Sequence, residues 1–320
     1  EEDSLGGFFF VHANLGVVRV AADGRSYEVV SSGLRNPNGM GLGPGEIVTA
    51  APQEGEWTPA SAIYVAKPGA YFGYGGPKVT PERPLGYDPP VVWIPRRVDN
   101  SSGGQTWVTS DRWGPLSGHP LHLSFGQCSL MLLGGDKPGG DLRNVAAACL
   151  TEFPFRFDSG AMRGRFSPHD GQLYVTGLRG WTSAASVDGC LQRVRYTGRR
   201  ANMPVAVKPY ANGVAVTFSE PLDKSSAEQP GNYHLEQWNY RYSQAYGSPE
   251  LRVSDPKQEG RDEVRVRSAT LLEPKTVFLE LKKVEPVHVL AISCSLRDAE
   301  GQTFRRTTYT CLLYTSPSPR

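Results

Sequence analysis

The stretch that decides the fold reads Gly33-Leu-Arg-Asn-Pro-Asn-Gly-Met-Gly-Leu-Gly-Pro-Gly-Glu-Ile-Val-Thr-Ala50. It places Arg35 and Asn36 side by side on a turn, continues as a glycine-punctuated strand and leads into an acidic loop that contains Trp57. Turns rich in Gly, Pro and Asn between short apolar runs are typical of tightly turned β-structure. An arginine beside an amide at the start of a strand suits a carboxylate or a carbonyl-rich ligand. The stretch therefore predicts β-structure with a ligand-facing turn.

The composition supports a turn-rich fold and excludes some partners. The chain has 320 residues, with 36 Gly and 26 Pro but only 4 Met, which favours many turns and few long helices. Its 34 Lys and Arg nearly balance 32 Asp and Glu, so no global charge favours nucleic acid or an acidic membrane surface. No apolar run approaches the roughly 18–20 residues that span a bilayer. The five cysteines show no haem-attachment motif and no paired zinc spacing.

The Arg-Asn turn resembles a known family signature. Gly33-Leu-Arg-Asn-Pro-Asn-Gly39 is similar to the Gly-x-Arg-Asn-Pro-x-Gly motif of the quinoprotein sugar dehydrogenases, the family of soluble glucose and aldose dehydrogenases. The likeness is greatest to the large propeller proteins of planctomycetes and verrucomicrobia that are called membrane-bound dehydrogenases and are often fused to cytochrome c modules. It covers roughly residues 8–200. It implies that Arg35 and Asn36 face pyrroloquinoline quinone (PQQ).

The pattern before residue 200 predicts part of a β-propeller. Three or four blade-like units can be read there, the first with an Asp23-Gly24 hairpin turn. Residues 67–90 are predicted to be a surface or mouth-lining loop. Residues 1–200 would hold about four blades of roughly 40–50 residues each. Because the quinoprotein dehydrogenases use six blades, we expect the first blades to be missing. The chain opens with Glu-Glu-Asp, so any signal peptide is expected outside it.

The second part of the chain changes pattern. Residues 197–203 form a polar joint, and six or seven short alternating strands follow in residues 204–310. That spacing predicts an immunoglobulin-like (Ig-like) β-sandwich. We expect the domain boundary at 198–205, with no sheet crossing it. Residues 311–320 resemble a translated sequencing adapter, an artefact of fragmentary metagenomic genes, and are predicted to form an artefactual tail.

Five residues are predicted to bind a cofactor. Arg35 and Asn36 would lie at the mouth of the propeller channel; alternatively, Arg35 pairs with Glu46 or Glu54 while Asn36 makes an Asx-turn. The remaining three are Arg179, Arg193 and Arg195. Alternation places Arg193 and Arg195 on one strand face. The resemblance implies that such an Arg-x-Arg meets the quinone carboxylates, and the alternative is an ion-paired outer strand.

Histidines and carboxylates give weaker signals. His119 and His122 would point to opposite faces of a strand, which disfavours a metal site, and His169 lies in a turn sequence. The resemblance implies a catalytic His in a blade before the Arg-Asn motif; we expect that blade to be missing here, and His12 is the one candidate upstream of Arg35. Calcium prefers six to eight loop oxygens, whereas Glu54 and Glu56 supply two carboxylates, too few to specify a site.

These observations predict an all-β protein: a partial propeller followed by an Ig-like sandwich. The resemblance implies an extracytoplasmic quinoprotein-like dehydrogenase that acts on a sugar or related alcohol. PQQ and calcium would be its cofactors, and a cytochrome c its electron acceptor. The alternative is a non-catalytic propeller that binds carbohydrate or a partner protein, because propellers host enzymes and scaffolds alike.

Overall fold

The chain is almost entirely β-structure. The computed structural model describes residues 1–135, 139–142, 145 and 148–313. Strands make up 48% and helices 4%, so the predicted all-β class is confirmed. None of the helices in these described ranges is long and apolar enough to cross a membrane.

The first part of the chain consists of short strands joined by tight turns. The strands are β1 (Phe8–His12), β2 (Gly16–Val20), β3 (Tyr27–Ser32), β4 (Gly39–Gly43), β5 (Ile47–Ala51), β6 (Ser61–Val65), β7 (Ala70–Tyr71), β8 (Val92–Ile94), β9 (Ser102–Trp107), β10 (Pro120–Ser124), β11 (Ser129–Gly134), β12 (Cys149–Arg156), β13 (Gly160–Phe166), β14 (Leu173–Leu178) and β15 (Gly189–Val194). A 3-10 helix, Asp111–Leu116, lies between β9 and β10.

The second part of the chain contains longer strands. They are β16 (Pro204–Tyr210), β17 (Gly213–Phe218), β18 (Tyr233–Trp238), β19 (Asp262–Val264), β20 (Val266–Glu273), β21 (Thr276–Leu281), β22 (Val287–Arg297) and β23 (Thr303–Leu312). A single-turn α-helix, Lys224–Ala227, and a 3-10 helix, Pro230–Asn232, precede β18.

The strands before residue 203 form a row of propeller-type blades. Successive sheets have the orders β1-β2-β3-β7, β4-β5-β6-β8, β9-β10-β11-β12 and β13-β14-β15, where β12 also pairs with a strand of the second part. Strand β8 pairs with β6 and completes the second blade. We call the end at which β4, β9 and β13 begin the upper end of the blades. The loops that connect one blade to the next lie there.

Glycines let the leading strands of neighbouring blades approach closely. A Cβ atom built on Gly39 would lie 2.1 Å from the carbonyl oxygen of Gly103. One built on Gly103 would lie 2.3 Å from the carbonyl oxygen of Ala161, on the next blade. Since real Cβ atoms do not come this close to backbone oxygens, β4, β9 and β13 can stack only because these positions lack side chains. The glycine-punctuated strand of the opening stretch is therefore a packing surface between blades.

Gly103→Ala is expected to lower the free energy of unfolding by about 1–3 kcal/mol, because the added methyl group forces two strand backbones apart. Gly231→Ala is the matched control, since a Cβ there meets no atom within 4 Å. Urea denaturation of both variants and the wild type measures the difference. Equal stability of the two variants would contradict the close packing of β9 on β13.

Two four-stranded layers enclose the core of the second part. One layer has the order β16-β17-β21-β20, and the other has the order β19-β18-β22-β23. Aliphatic and aromatic residues from both layers fill the space between them, among them Val216, Phe218, Leu279 and Ile292. This arrangement is a β-sandwich with alternating inward-facing apolar residues.

The two parts share a sheet, which corrects the expected boundary at 198–205. Strand β23 pairs with β22 along most of its length, and its Thr308–Thr310 segment also pairs with Thr151–Cys149 of β12. The joined sheet has eight strands, from β19 to β9. An unpaired strand edge exposes backbone donors and acceptors, so the pairing of β12 with β23 satisfies both edges at once. The expectation that no sheet crosses the boundary is wrong.

The predicted tail at 311–320 also needs correction. Cys311 and Leu312 are the last residues of β23, both are buried, and the Cys311 thiol donates to the carbonyl oxygen of Val91 at 3.7 Å. The strand pattern thus extends past residue 310. Residues 314–320 lie outside the described residues.

One of the hydrophobic clusters spans both parts. Trp93 of β8 contacts Tyr240 and His288 of the second part, with ring centroids 6.0 and 5.8 Å apart. The Nδ1 atom of His288 accepts a hydrogen bond from the backbone N–H of Tyr240 at 2.9 Å. Burial lowers the pKa of His288 to about 4. The imidazole is therefore held neutral at the seam between the blades and the sandwich.

The free energy of unfolding is expected to decrease as the pH falls from about 6.5 to about 4. The unfolded chain keeps an ordinary histidine pKa near 6.5 and binds the proton first, so acid favours unfolding. The His288 contribution is on the order of 3 kcal/mol. Urea denaturation at several pH values between 4 and 7 should show that the free energy of unfolding of His288→Gln changes less steeply with pH than that of the wild type. His169→Gln, at an exposed turn, should keep the wild-type slope; an unchanged slope in His288→Gln would contradict the assignment.

Candidate functional site

Hydrogen-bonded loops cover the upper end of the blades. They belong to three blades and connect the predicted residues Arg35 and Arg179 through a continuous series of contacts. The contacts are Gln53 N–H to Arg35 O (3.0 Å), Ser101 Oγ to Gln53 Oε1 (2.8 Å), Gln127 Nε2 to Asn100 Oδ1 (2.7 Å), Ala184 N–H to Gly126 O (2.8 Å) and Arg179 Nη2 to Ala185 O (3.1 Å). Because neighbouring loops restrain one another, this end presents a fixed surface to a ligand.

Arg35 is enclosed by its own neighbours. Its Nε donates to the Glu56 carboxylate at 2.8 Å, and its Nη1 donates to the carbonyl oxygen of Glu54 at 2.8 Å. The ring of Tyr246 lies 5.0 Å from the guanidinium carbon. The hydrogen bond from Arg35 lowers the pKa of the Glu56 carboxyl group. The sequence left two alternatives for Arg35, and the structure shows the one in which it forms an ion pair at the turn. Its carboxylate partner is Glu56, not Glu46 or Glu54.

A segment of the second part closes over this arginine. We call residues 242–248 the covering segment. Its backbone makes three hydrogen bonds with the 55–59 loop: Trp57 N–H to Ser243 O (2.8 Å), Gly247 N–H to Gly55 O (3.1 Å) and Ser248 N–H to Pro59 O (2.8 Å). Tyr242 packs on Trp57 with centroids 5.0 Å apart, and its hydroxyl donates to Gly73 O at 2.5 Å. The side chain of Arg35 is consequently only 14% exposed.

Asn36 and Asn38 have different surroundings. Asn36 is exposed and has a φ of 38°, in the left-handed region that Asn tolerates. Asn38 instead holds blades together: its Nδ2 donates to Ser102 O at 3.0 Å, and its Oδ1 accepts from Arg163 at 3.3 Å. The sequence interpretation missed both Asn38 and Arg163. Their only signal was the second Asn of the Asn-Pro-Asn turn.

The other three predicted residues, Arg179, Arg193 and Arg195, lie at opposite ends of their blade. Arg179 follows β14 at the upper end, where it pairs with Asp188 at 3.2 Å and holds the carbonyl groups of the 185–186 turn. Arg193 lies on the outer strand β15 opposite Tyr174 and pairs with Asp170 at 4.0 Å, near the lower end. Arg195 follows it there and is exposed. The five predicted residues therefore do not form one site in this arrangement.

His122 belongs to a buried polar network between β9 and β10. Its Nε2 lies 2.7 Å from the Asp99 carboxylate, and its Nδ1 lies 3.0 Å from Gln105 Nε2. Asp99 also accepts hydrogen bonds from the hydroxyl groups of Ser102 and Ser124, at 2.8 and 2.6 Å. His122 and Asp99 are both fully buried. This His-Asp pair, which the sequence did not predict, fixes the blade interior and cannot reach a substrate in this arrangement.

The remaining histidines are also occupied or remote. His12 lies at the end of β1, and its Nδ1 accepts hydrogen bonds from Asn14 and Leu15, so it caps its own turn. His119 is buried, and that burial lowers its pKa. His169 lies in the turn between β13 and β14, at the lower end. None of these three touches Arg35 within the described parts of the chain.

The two loop carboxylates that were considered for calcium do not converge. Glu56 is directed to Arg35, whereas Glu54 meets Arg96 at 3.4 Å. Burial raises the pKa of Glu54, and the nearby arginines oppose that rise. Within the described residues, no group of three or more His, Cys, Asp or Glu side chains could hold a metal ion. The acidic loop therefore does not fit a calcium ion in this arrangement.

The surroundings of Arg35 do not fit a bound quinone either. A quinone carboxylate or oxygen would compete with the Glu56 carboxylate and the Tyr246 ring, which already contact the guanidinium. A side chain at Gly55 would meet Arg35 Nε at 2.0 Å, so the loop also packs tightly on this arginine. The motif residue is thus used to bind the loops together.

Some solved structures resemble the chain over part of its length. No protein-family model matches the chain, and no curated protein matches it. It is similar to a solved glucose dehydrogenase, with 20% identity over 61% of this chain and 62% of that chain and a TM-score of 0.44. It is also similar to the soluble aldose sugar dehydrogenase of Escherichia coli in the apo form, with 19% identity over 55% and 53% of the two chains and a TM-score of 0.37.

A third similar structure is the PQQ-bound aldose sugar dehydrogenase of Streptomyces coelicolor, with 18% identity over 55% and 51% of the two chains and a TM-score of 0.36. The present chain spans 62% of the length of the glucose dehydrogenase that it matches.

Arg35→Ala is expected to loosen the covering segment, because the ion pair with Glu56 and the contact with Tyr246 are both lost. Hydrogen exchange at the amides of Gly247 and Ser248 should become faster, and the Glu56 carboxyl group should titrate at a higher pH in NMR spectra. Arg25→Ala, at an exposed hairpin turn, is the matched control and should change neither observable. Unchanged exchange in Arg35→Ala would contradict the closing role of this arginine.

Proposed function

We propose that the chain is a sugar-dehydrogenase-like propeller that binds carbohydrate at the upper end of its blades without oxidising it. The observation that carries this proposal is the closed state of Arg35, whose guanidinium is bound by Glu56, the Glu54 carbonyl group and the Tyr246 ring. Two of its five N–H groups donate within the protein and the side chain is only 14% exposed, so little of this arginine is open to a quinone. Binding, which needs only a shaped surface, remains compatible with this geometry.

A groove beside the closed arginine supports binding. It has a volume of about 610 Å³ and is lined by residues of both parts of the chain, including Glu54, Asn100, Gln127 and Tyr246. Ligand pockets commonly occupy about 300–1,000 Å³ and lie where two domains meet. Amide, carboxylate and hydroxyl groups beside an aromatic ring match the hydroxyl groups and apolar face of a sugar ring.

The dehydrogenase is the second candidate. It is favoured by Arg35 and Arg179, which lie on hydrogen-bonded loops at the same end of the blades. In this candidate the covering segment would leave Arg35 for PQQ to bind, and a cytochrome c would accept the electrons. A calcium ion would then need ligands beyond Glu54 and Glu56.

The sandwich and the location are also proposals. The layers β16-β17-β21-β20 and β19-β18-β22-β23 support an Ig-like domain over residues 204–312, because the first layer has the ABED order and the second contains the CFG order. We propose that this domain supports the groove and supplies the covering segment. An extracytoplasmic location is proposed on the resemblance to the quinoprotein sugar dehydrogenases.

The chain, supplied with PQQ and Ca²⁺, is expected to show no dye-linked oxidation of glucose or related aldoses, because Arg35 is occupied. The measurement is a dye-reduction assay of the wild type and of Tyr246→Ala, which uncovers one face of the arginine. Calorimetric titration with neutral and acidic oligosaccharides, in the absence of PQQ, should detect binding. Turnover by the wild type would favour the dehydrogenase, and failure to bind every saccharide would contradict the proposal.

A further inference from the structure

We infer that the upper-end groove selects a saccharide that carries oxyanion groups, either carboxylate or sulfate. This inference rests on the proposed carbohydrate-binding function and names its ligand class. The groove is lined by Glu54, Arg96, Arg97, Asn100, Gln127, Tyr246, Ser248, Pro249, Glu250 and Arg261. Three of these ten residues are arginines. The preference for an anionic ligand follows from which of the three are neutralised by carboxylates of the protein.

Arg261 is neutralised within the protein. Its Nε and Nη2 donate to both carboxylate oxygens of Glu250, at 2.5 and 2.8 Å, and its Nη1 donates to Glu236 at 3.1 Å. Its guanidinium also lies 4.3 Å from the ring centroid of Trp238. Paired carboxylates and an aromatic face leave this arginine with a structural role. Arg261 also neutralises the Glu250 carboxylate, and Glu250 therefore does not repel an anion in the groove.

Arg96 and Arg97 retain most of their hydrogen-bonding capacity. The Arg96 side chain is 73% exposed, and its one contact within the described residues is the Glu54 carboxylate at 3.4 Å. Arg97 is exposed and, within the same part of the chain, meets only the neutral Tyr309 hydroxyl at 3.4 Å. Each guanidinium has five N–H donors and binds carboxylate or sulfate oxygens in a planar fork. Two arginines of one loop that both line the groove and are incompletely neutralised therefore favour an anionic ligand.

Glu54 does not cancel this charge fully. It lies 7% exposed beneath the groove, where burial raises the pKa of its carboxyl group. The groove is lined by three arginines and two glutamates, so its formal charge stays positive even with Glu54 ionised.

Tyr246 and two amides supply the sugar-binding surface. One face of the Tyr246 ring lies over Arg35, while the residue as a whole is 63% exposed and offers its remaining surface to the groove. Gln127 donates to Asn100 Oδ1, which leaves the Asn100 amide N–H groups and the Gln127 carbonyl oxygen for hydroxyl groups of a ligand. An aromatic platform beside two arginines fits a ring with an attached acidic group.

Calorimetry with three tetrasaccharides tests the inference on the whole chain. The probes are tetragalacturonate, the neutral galactotetraose and a sulfated galactotetraose. We expect at least one acidic probe to bind about tenfold or more tightly than the neutral one, and the better acidic probe identifies whether carboxylate or sulfate is read. Raising the ionic strength should weaken acidic binding alone, because salt screens exposed charges.

The double variant Arg96→Gln/Arg97→Gln should lower the affinity for the acidic probe about 10- to 100-fold and leave the neutral probe within twofold. Arg25→Gln is the charge-matched control outside the groove and should behave as the wild type. Tyr246→Leu should weaken both kinds of probe. Thermal unfolding checks that the double variant folds, and the salt dependence of the wild type needs no variant at all.

Each remaining outcome is decisive. Equal, salt-insensitive binding of acidic and neutral probes would overturn the inference while the proposed carbohydrate binding stands. Absence of binding by all three probes would contradict the proposed function as well.

Discussion

The pairing of β12 with β23 is the interaction on which the rest of the arrangement depends. It joins the last strand of a blade to the last strand of the sandwich, so two edges that would each expose backbone donors and acceptors satisfy one another. The joined sheet fixes the sandwich beside the second and third blades, where Trp93, Tyr240 and His288 complete a common core. Relative motion of the two parts would have to break both the sheet and this core.

That fixed position gives Arg35 its role. The covering segment can meet the 55–59 loop only because the sandwich that carries it is held against the blades. Once Tyr246 lies over the guanidinium and Glu56 neutralises it, the arginine becomes a clamp between loops of the two parts. Arg96 and Arg97 lie on the next interblade loop and escape this closure. The arginines available to a ligand are therefore Arg96 and Arg97, which belong to no recognised motif, whereas the motif residue Arg35 is enclosed.

Much of the fold was predictable from the sequence, because it follows from local patterns. The Asp23-Gly24 hairpin, the turn at Arg35-Asn36 and the alternation after residue 204 each depend on neighbouring residues, and β-strands form at all three places. The glycine-punctuated strand was read correctly as a strand, but its function in stacking β4 on β9 required the adjacent blade. The end of the strand pattern at residue 310 was predicted wrongly, since Cys311 and Leu312 are held in β23 by burial among distant residues.

The amino-acid sequence by itself determined the all-β class, the succession of blades and a second set of strands, and the residue types at the interblade turns. Only the tertiary structure decided that Arg35 is enclosed, that Arg179 and Arg193 lie at opposite ends of their blade, and that His122 is buried against Asp99. The physical reason is that strands and turns follow from side-chain alternation and backbone preferences over a few residues. The charge and accessibility of a side chain depend on partners as far away in sequence as Tyr246 is from Arg35.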